Sequence, residues 1–264
     1  VRYSYDSPIE TYEINVIGTA NVLEVARSCP NLKAIVNITT DKCYENDGRS
    51  HGYSENDPIG GHDPYSSSKG CAELVASSYR RSFLQEQGIG LASVRAGNVI
   101  GGGDWADDRL IPDILRSFEE SESVVIRNPK AIRPWQHVLE PLSGYLILAE
   151  KLYKNQKEYA EGWNFGPNEK DVKPVSWILD KMISKWPASS WELDQNSNPH
   201  EADFLKLDIS KAKAKLGWKP VWELSHTLEK IISWHQAWLD EEDMQTICLA
   251  EIEEYTKDMS NENR

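Results

Sequence analysis

The sequence predicts an α/β fold: a doubly wound parallel sheet of Rossmann-like form with a smaller, mixed substrate-binding lobe. Three observations carry that expectation. Helix-like and strand-like segments alternate with short connections through residues 8–97. The strand-like segments are continuous apolar runs without polar alternation, the pattern of strands buried on both faces of a parallel sheet. Polar clusters follow those runs, at the C-terminal strand ends where open α/β sheets hold their ligands.

The elements follow in order. Pro8, a favourable first-turn residue, opens a helix through "ETYEINVIGTANVLEVARSC". "KAIVNIT" is a β-branched run ending at Thr39, and a polar loop leads from it to Pro64. A second helix, carrying Tyr65 and Lys69, extends to about Gln87. "GIGLASVRAG" is the next buried strand, and the glycine-rich turn "GNVIGGGDWADD" follows. A helix "RLIPDILRSFEE", a strand "SVVIR", a loop "NPKAIRPWQHV", a helix "LEPLSGYLILAEKLY" and a strand "GWNFG" complete the regular part. Beyond Pro174 the chain mixes short helices with tryptophan-rich stretches, whose indoles read as core. The expected division is a Rossmann-like domain at 1–108 continued by 138–166, a substrate lobe at 109–137 and 167–239, and an acidic tail at 240–264. A dinucleotide sheet ordinarily opens with a glycine fingerprint at its first turn. None precedes residue 8, so the sheet is expected to be entered part-way, with its N-terminal part missing.

Composition excludes several classes. The formal charge is −13, which argues against nucleic acid as a partner. The tail alone holds nine acids against two bases, a solvated or partly ordered appendage. No apolar run approaches the roughly 18–20 residues of a membrane span. Cys29, Cys43, Cys71 and Cys248 lack metal or disulfide spacing and read as free thiols in a reducing cytoplasm. The six histidines are scattered, so no metal site is expected.

Five ordered segments carry a resemblance: "NITTDKCY", "GGHDPYSSSKG", "VRAGNVIGGGDW", "RLIPD" and "AIRPWQHV". With these the chain resembles the extended short-chain dehydrogenase/reductases, in the branch that dehydrates sugar nucleotides. The resemblance runs from about residue 1 to about 238. It implies NAD as cofactor and 4,6-dehydration of a nucleoside-diphosphate glucose, with CDP-glucose the expected substrate, although the residues themselves do not reveal which base is read. Tyr65 and Lys69, at i and i+4, share a helical face. The ammonium favours the phenolate, which can take the proton of a sugar hydroxyl while NAD accepts the hydride. The resemblance makes Thr40 a hydroxyl sharing the same substrate oxygen, and Thr39, Tyr65 and Lys69 contacts to the cofactor. It makes Asp41 the acid that protonates the departing C6 oxygen and Lys42 the base at C5; related dTDP-glucose enzymes carry Asp-Glu at these positions.

Substrate contacts carried over in the same way are Asn98, Arg109, Leu110, Pro112 and Arg133. A guanidinium suits a diphosphate in two-pronged fashion, which favours Arg133 over any lysine. His200 stands where the dTDP-glucose enzymes have an arginine. Asn15 matches a helix asparagine that supports Lys69 through a backbone carbonyl and a water. The resemblance also implies a homodimer or homotetramer through the helices at 8–29 and 64–87. The alternatives are another dehydratase or an epimerase of the same family, or a non-catalytic fragment. Asp41-Lys42 speaks against an epimerase, which needs no elimination acid and base.

Overall fold

The computed structural model describes residues 1–186, 189–195 and 205–262. In chain order its helices are α1 (Arg2–Asp6), α2 (Pro8–Tyr12), α3 (Gly18–Arg27), α4 (Pro64–Tyr79), α5 (Leu110–Glu119), α6 (Leu139–Lys154), α7 (Gln156–Tyr159), α8 (Val175–Lys185), α9 (Leu224–Leu239) and α10 (Met244–Glu262). The strands are β1 (Ala34–Ile38), β2 (Gly90–Ala96), β3 (Val99–Ile100), β4 (Ser123–Ile126), β5 (Ile132–Pro134), β6 (Gln136–His137), β7 (Gly162–Phe165), β8 (Val172–Pro174) and β9 (Ser190–Leu193). They form two compact units, one of residues 1–97, 141–166 and 205–219, the other of 98–140, 167–204 and 220–264. The expected division placed 205–219 with the lobe; Leu205, Leu207, Ala212 and Trp218 instead pack into the first unit's core.

The first unit is built on a parallel sheet in the order β1-β2-β7. β2 has a neighbour on each side, and Gly90 through Arg95 are all buried, as a strand covered on both faces requires. Its side chains alternate between two cores. Leu91 joins Leu23, Ala76, Leu84 and Ile89, while Ala92 and Val94 join Leu148, Leu152, Trp163 and Phe165. β1 departs from the expected double burial: it pairs only with β2 among the described strands, and Ile38 is 57% exposed. The first expected helix is α2, a π-helical stretch Glu13–Ile17 and α3 in succession. α4 begins at Asp63, whose carboxylate accepts from the Ser66 N–H (2.9 Å) and hydroxyl (2.6 Å), with Pro64 in the first turn.

Among the described residues the second unit holds three two-stranded sheets: β3-β6 and β4-β9 are parallel, and β5-β8 is antiparallel. "NPKAIRPWQHV", expected as a loop, thus contains β5 and β6. Ile114, Val124, Ile178, Leu179, Met182, Leu228 and Ile231 form the core. The acidic tail is the main departure from expectation. Most of it is α10, which docks on this unit through the face that carries Glu251, Glu254, Tyr255 and Asp258. Tyr255 donates to Glu140 Oε2 (2.9 Å), Trp222 donates to Asp258 (3.0 Å), and Lys230 pairs with Glu254.

Glu140 is fully buried and accepts the backbone N–H groups of Val221 and Trp222 besides the Tyr255 hydroxyl. Removing the carboxylate leaves buried donors without acceptors. Glu140→Ala should therefore cost on the order of 3 kcal/mol in urea unfolding, and Tyr255→Phe about 1 kcal/mol. A loss below about 1 kcal/mol for Glu140→Ala would remove the carboxylate from this supporting role.

Candidate active site

β1 runs directly into the residues expected to do chemistry. Thr39 extends the strand pairing, its N–H bonding the Val94 carbonyl (2.9 Å). Thr40, still extended, caps a 3₁₀ turn at Asp41–Cys43 by accepting from the Lys42 N–H (3.4 Å). Its hydroxyl donates to Asp41 Oδ1 (3.1 Å), and both side chains are buried. Lys42 is half-buried, and its amine makes no hydrogen bond or ion pair among the described residues.

α4 lies against this turn. A Cβ at Gly70 would meet the Gly60 carbonyl at 2.6 Å, and Gly60 in turn donates its N–H to the Cys43 carbonyl (2.9 Å). The absent side chain is what permits the close approach. Tyr65 sits in the first turn of this 16-residue helix, directly after Pro64. Its backbone is held at both ends: the N–H bonds Ser4 Oγ (3.2 Å) and the carbonyl accepts from the Ser68 hydroxyl (2.7 Å). Asn15 Nδ2 donates to that same Ser68 hydroxyl (2.9 Å). The asparagine expected to support Lys69 thus reaches the residue immediately before it. One turn on from Tyr65, Lys69 is half-buried, and burial pushes its ammonium below the ordinary lysine value. No carboxylate or hydrogen-bond partner meets it among the described residues.

The expected substrate contacts lie in the second unit. The Asn98 carbonyl accepts from the Gln136 N–H (3.0 Å), leaving its side chain half-buried at the start of β3. Arg109 is exposed at the N-cap of α5. Leu110 packs against the unit's core, and Pro112 is buried in the first turn of α5. Arg133, in β5, is buried, with one Nη donated to the Ile132 carbonyl (3.0 Å). His200 lies outside the described residues.

Sequence reasoning passed over a buried polar group on and beside α4. Glu73 and Arg95, each 5% exposed, form a two-pronged ion pair with Nε–Oε1 2.8 Å and Nη2–Oε2 2.9 Å. Thr39 donates its hydroxyl to Glu73 Oε1 (2.6 Å), which engages within the protein the group expected at the cofactor. The signal was available: Tyr65, Lys69 and Glu73 repeat at four-residue spacing, and "GLASVRA" places a charge inside an otherwise apolar strand.

Comparison with known proteins places these features in a family. Residues 1–231 match the family described as GDP-mannose 4,6 dehydratase. A CDP-glucose 4,6-dehydratase of Salmonella typhimurium is 58% identical over 261 residues, covering 97% of this chain and 73% of that protein. A UDP-glucuronic acid decarboxylase 1 of Arabidopsis thaliana is 27% identical over 243 residues, covering 88% of this chain and 52% of that protein. Among solved structures, a dTDP-glucose 4,6-dehydratase of Bacillus anthracis in complex with NAD superposes with a TM-score of 0.72 at 23% identity, covering 85% of this chain and 68% of that one. A UDP-glucose 4-epimerase of Thermotoga maritima with UDP-glucose gives 0.76 at 19% identity, covering 90% and 74%. At those identities the structural likeness speaks to the α/β fold. The sequence matches go further: this chain belongs to the GDP-mannose 4,6 dehydratase family.

Proposed function

We propose that this protein is an NAD-dependent lyase that converts a nucleoside-diphosphate glucose, CDP-glucose in particular, to its 4-keto-6-deoxy form. The carrying observation is the turn Thr40–Cys43, which brings Asp41 and Lys42 beside the helix of Tyr65 and Lys69. The identity to the Salmonella CDP-glucose enzyme favours cytidine as the base.

The residues around α4 suit the nicotinamide end of NAD. A half-buried ammonium without a carboxylate partner, one helical turn after a tyrosine, is the donor that ribose hydroxyls require. Tyr65 and Lys69 would hold the nicotinamide end, and NAD bound there would supply reversible hydride acceptance for the sugar carbons. The chain's own groups move the protons. Tyr65, as phenolate, takes the proton of the C4 hydroxyl, with Lys69 supporting the negative charge. Thr40 donates to or accepts from the same sugar oxygen. The resulting ketone acidifies the C5 hydrogen, which the Lys42 amine removes. Asp41 gives its proton to the C6 oxygen as that C–O bond breaks, releasing water. Lys42 then returns its proton to C5. The proton gained by Tyr65 equals the one lost by Asp41, so one transfer between them resets the site.

Arg133 grips the diphosphate in this reading, with Asn98 and Arg109 as further contacts. Two copies of the chain pair through α2–α3 and α4, whose outward faces carry Ile14, Ile17, Val22, Val25 and Leu74, all more than half exposed. The four free thiols suit a reducing cytoplasm.

Three measurements test this. Tyr65→Phe should lower turnover by about 10²- to 10⁴-fold while leaving nucleotide-sugar affinity nearly intact; near wild-type turnover would remove Tyr65 from the chemistry. Arg133→Lys should weaken CDP binding by about 1–3 kcal/mol in calorimetry, because a point charge replaces a fork of donors, and unchanged affinity would assign Arg133 to structure alone. The third separates elimination from oxidation. Lys42→Gln should abolish exchange of the C5 hydrogen with deuterated water, whereas in Asp41→Asn exchange should outlast product formation. Both should lose about 10²- to 10⁴-fold in overall rate. Dehydration near the wild-type rate in both variants would defeat the lyase assignment.

A further inference from the structure

The 3₁₀ turn that carries Asp41 and Lys42 is gripped at both of its ends by one buried ion pair. Immediately before Thr40, the Thr39 hydroxyl donates to Glu73 Oε1. Immediately after Cys43, the Tyr44 hydroxyl accepts from Arg95 Nη1 (2.7 Å) and donates to Asn164 Oδ1 (2.7 Å). Glu73 itself lies one helical turn beyond Lys69 and two beyond Tyr65, on the same face of α4. We propose that the Glu73–Arg95 pair, with Thr39 and Tyr44, is a positioning device that sets the register between the turn and the catalytic face of α4.

The chemistry of the contacts favours this over simple core filling. Both Glu73 oxygens and three guanidinium nitrogens are engaged, so neither partner can slide without stranding a buried donor or acceptor. Burial alone would raise the Glu73 carboxyl, but the Arg95 hydrogen bonds and charge, with the Thr39 hydroxyl, hold it below the usual carboxylate range. It is therefore a fixed anion across the working pH range. Asn164 continues the chain, donating to the Tyr53 carbonyl (2.8 Å) and anchoring Tyr44 to β7. A buried ion pair contributes little net stability compared with apolar residues of the same shape, and defining one arrangement is the role left to it. Reactions that need several groups in place at once lose about 10²-fold for misplacements near an ångström.

The inference rests on the dehydratase reading, so its test includes a readout that does not. In the intact NAD-loaded protein, Tyr44→Phe and Glu73→Gln should each lower kcat for CDP-glucose by about 10- to 100-fold, with KM changed less than about threefold. Amide hydrogen exchange at residues 40–43 should accelerate by at least about tenfold in both. Glu73→Gln leaves a buried guanidinium unmatched and should also lower the thermal midpoint. The double variant Glu73→Gln/Arg95→Met removes that charge and should recover the midpoint but not kcat. Recovery of both together, or wild-type kcat and exchange in Tyr44→Phe, would overturn the proposal. Should Glu73→Gln fail to fold, Tyr44→Phe decides alone. Should wild type itself leave CDP-glucose unchanged, the functional reading fails, and the exchange at 40–43 still decides the positioning role.

Discussion

Arg95 is the constraint around which the first unit is arranged. A guanidinium in the middle of a strand buried on both faces cannot be left unmatched, because the desolvation of an unpaired charge there exceeds any single packing gain. The match comes from four separate pieces of chain. Glu73 supplies the charge from α4, Tyr44 a hydroxyl from the loop after the 3₁₀ turn, Asn164 an amide from β7, and Thr39 completes Glu73 from the end of β1. Satisfying one buried cation thus brings strand, helix and loop to a common point. That point lies directly behind the residues proposed to do chemistry.

The proposed site divides its work between two kinds of local structure. Tyr65 and Lys69 occupy the first turns of a long helix, where the spacing of four fixes their relation. Thr40, Asp41 and Lys42 occupy consecutive positions at the start of a short turn, with Thr40 bonded to Asp41 and the Lys42 amine without a bond among the described residues. The helix suits a pair that must act together on one oxygen. The turn suits groups that must reach different carbons of the same sugar. In this reading the acid and the base for elimination are two adjacent residues beside the helix that holds Tyr65 and Lys69.

How much of this was legible in the sequence depended on whether the determining partner was near or far along the chain. α4, β2, α5, α6 and β7 lie close to the expected spans, because apolar periodicity and the Asp63-Pro64 start are local signals. β5 and β6 were not visible: two prolines interrupt "NPKAIRPWQHV", and the strands exist through pairing with Val172–Pro174 and Val99–Ile100. The acidic tail was misjudged for a related reason. Its composition is that of a solvated segment, yet Tyr255 and Asp258 find Glu140 and Trp222 more than 30 positions away, and those contacts make a docked helix. β1 was expected to be buried on both faces, but a strand with one described neighbour leaves Ile38 exposed.

Thr39 carries the lesson furthest into the site. Placed next to Thr40 at a strand end, it read as one more polar group facing a ligand. The hydroxyl has a single proton, and both acceptors within its reach, Glu73 Oε1 (2.6 Å) and the Val94 carbonyl (3.1 Å), belong to the protein. Its neighbour Thr40, one residue on, points its hydroxyl to Asp41 instead. Adjacent threonines in extended backbone project to opposite sides, so one can serve the buried ion pair while the other serves the site. The alternation that makes a strand thereby separates the ion-pair contact from the proposed chemistry within two residues. It also explains why a sequence that shows both hydroxyls side by side does not reveal that the first of them bonds within the protein.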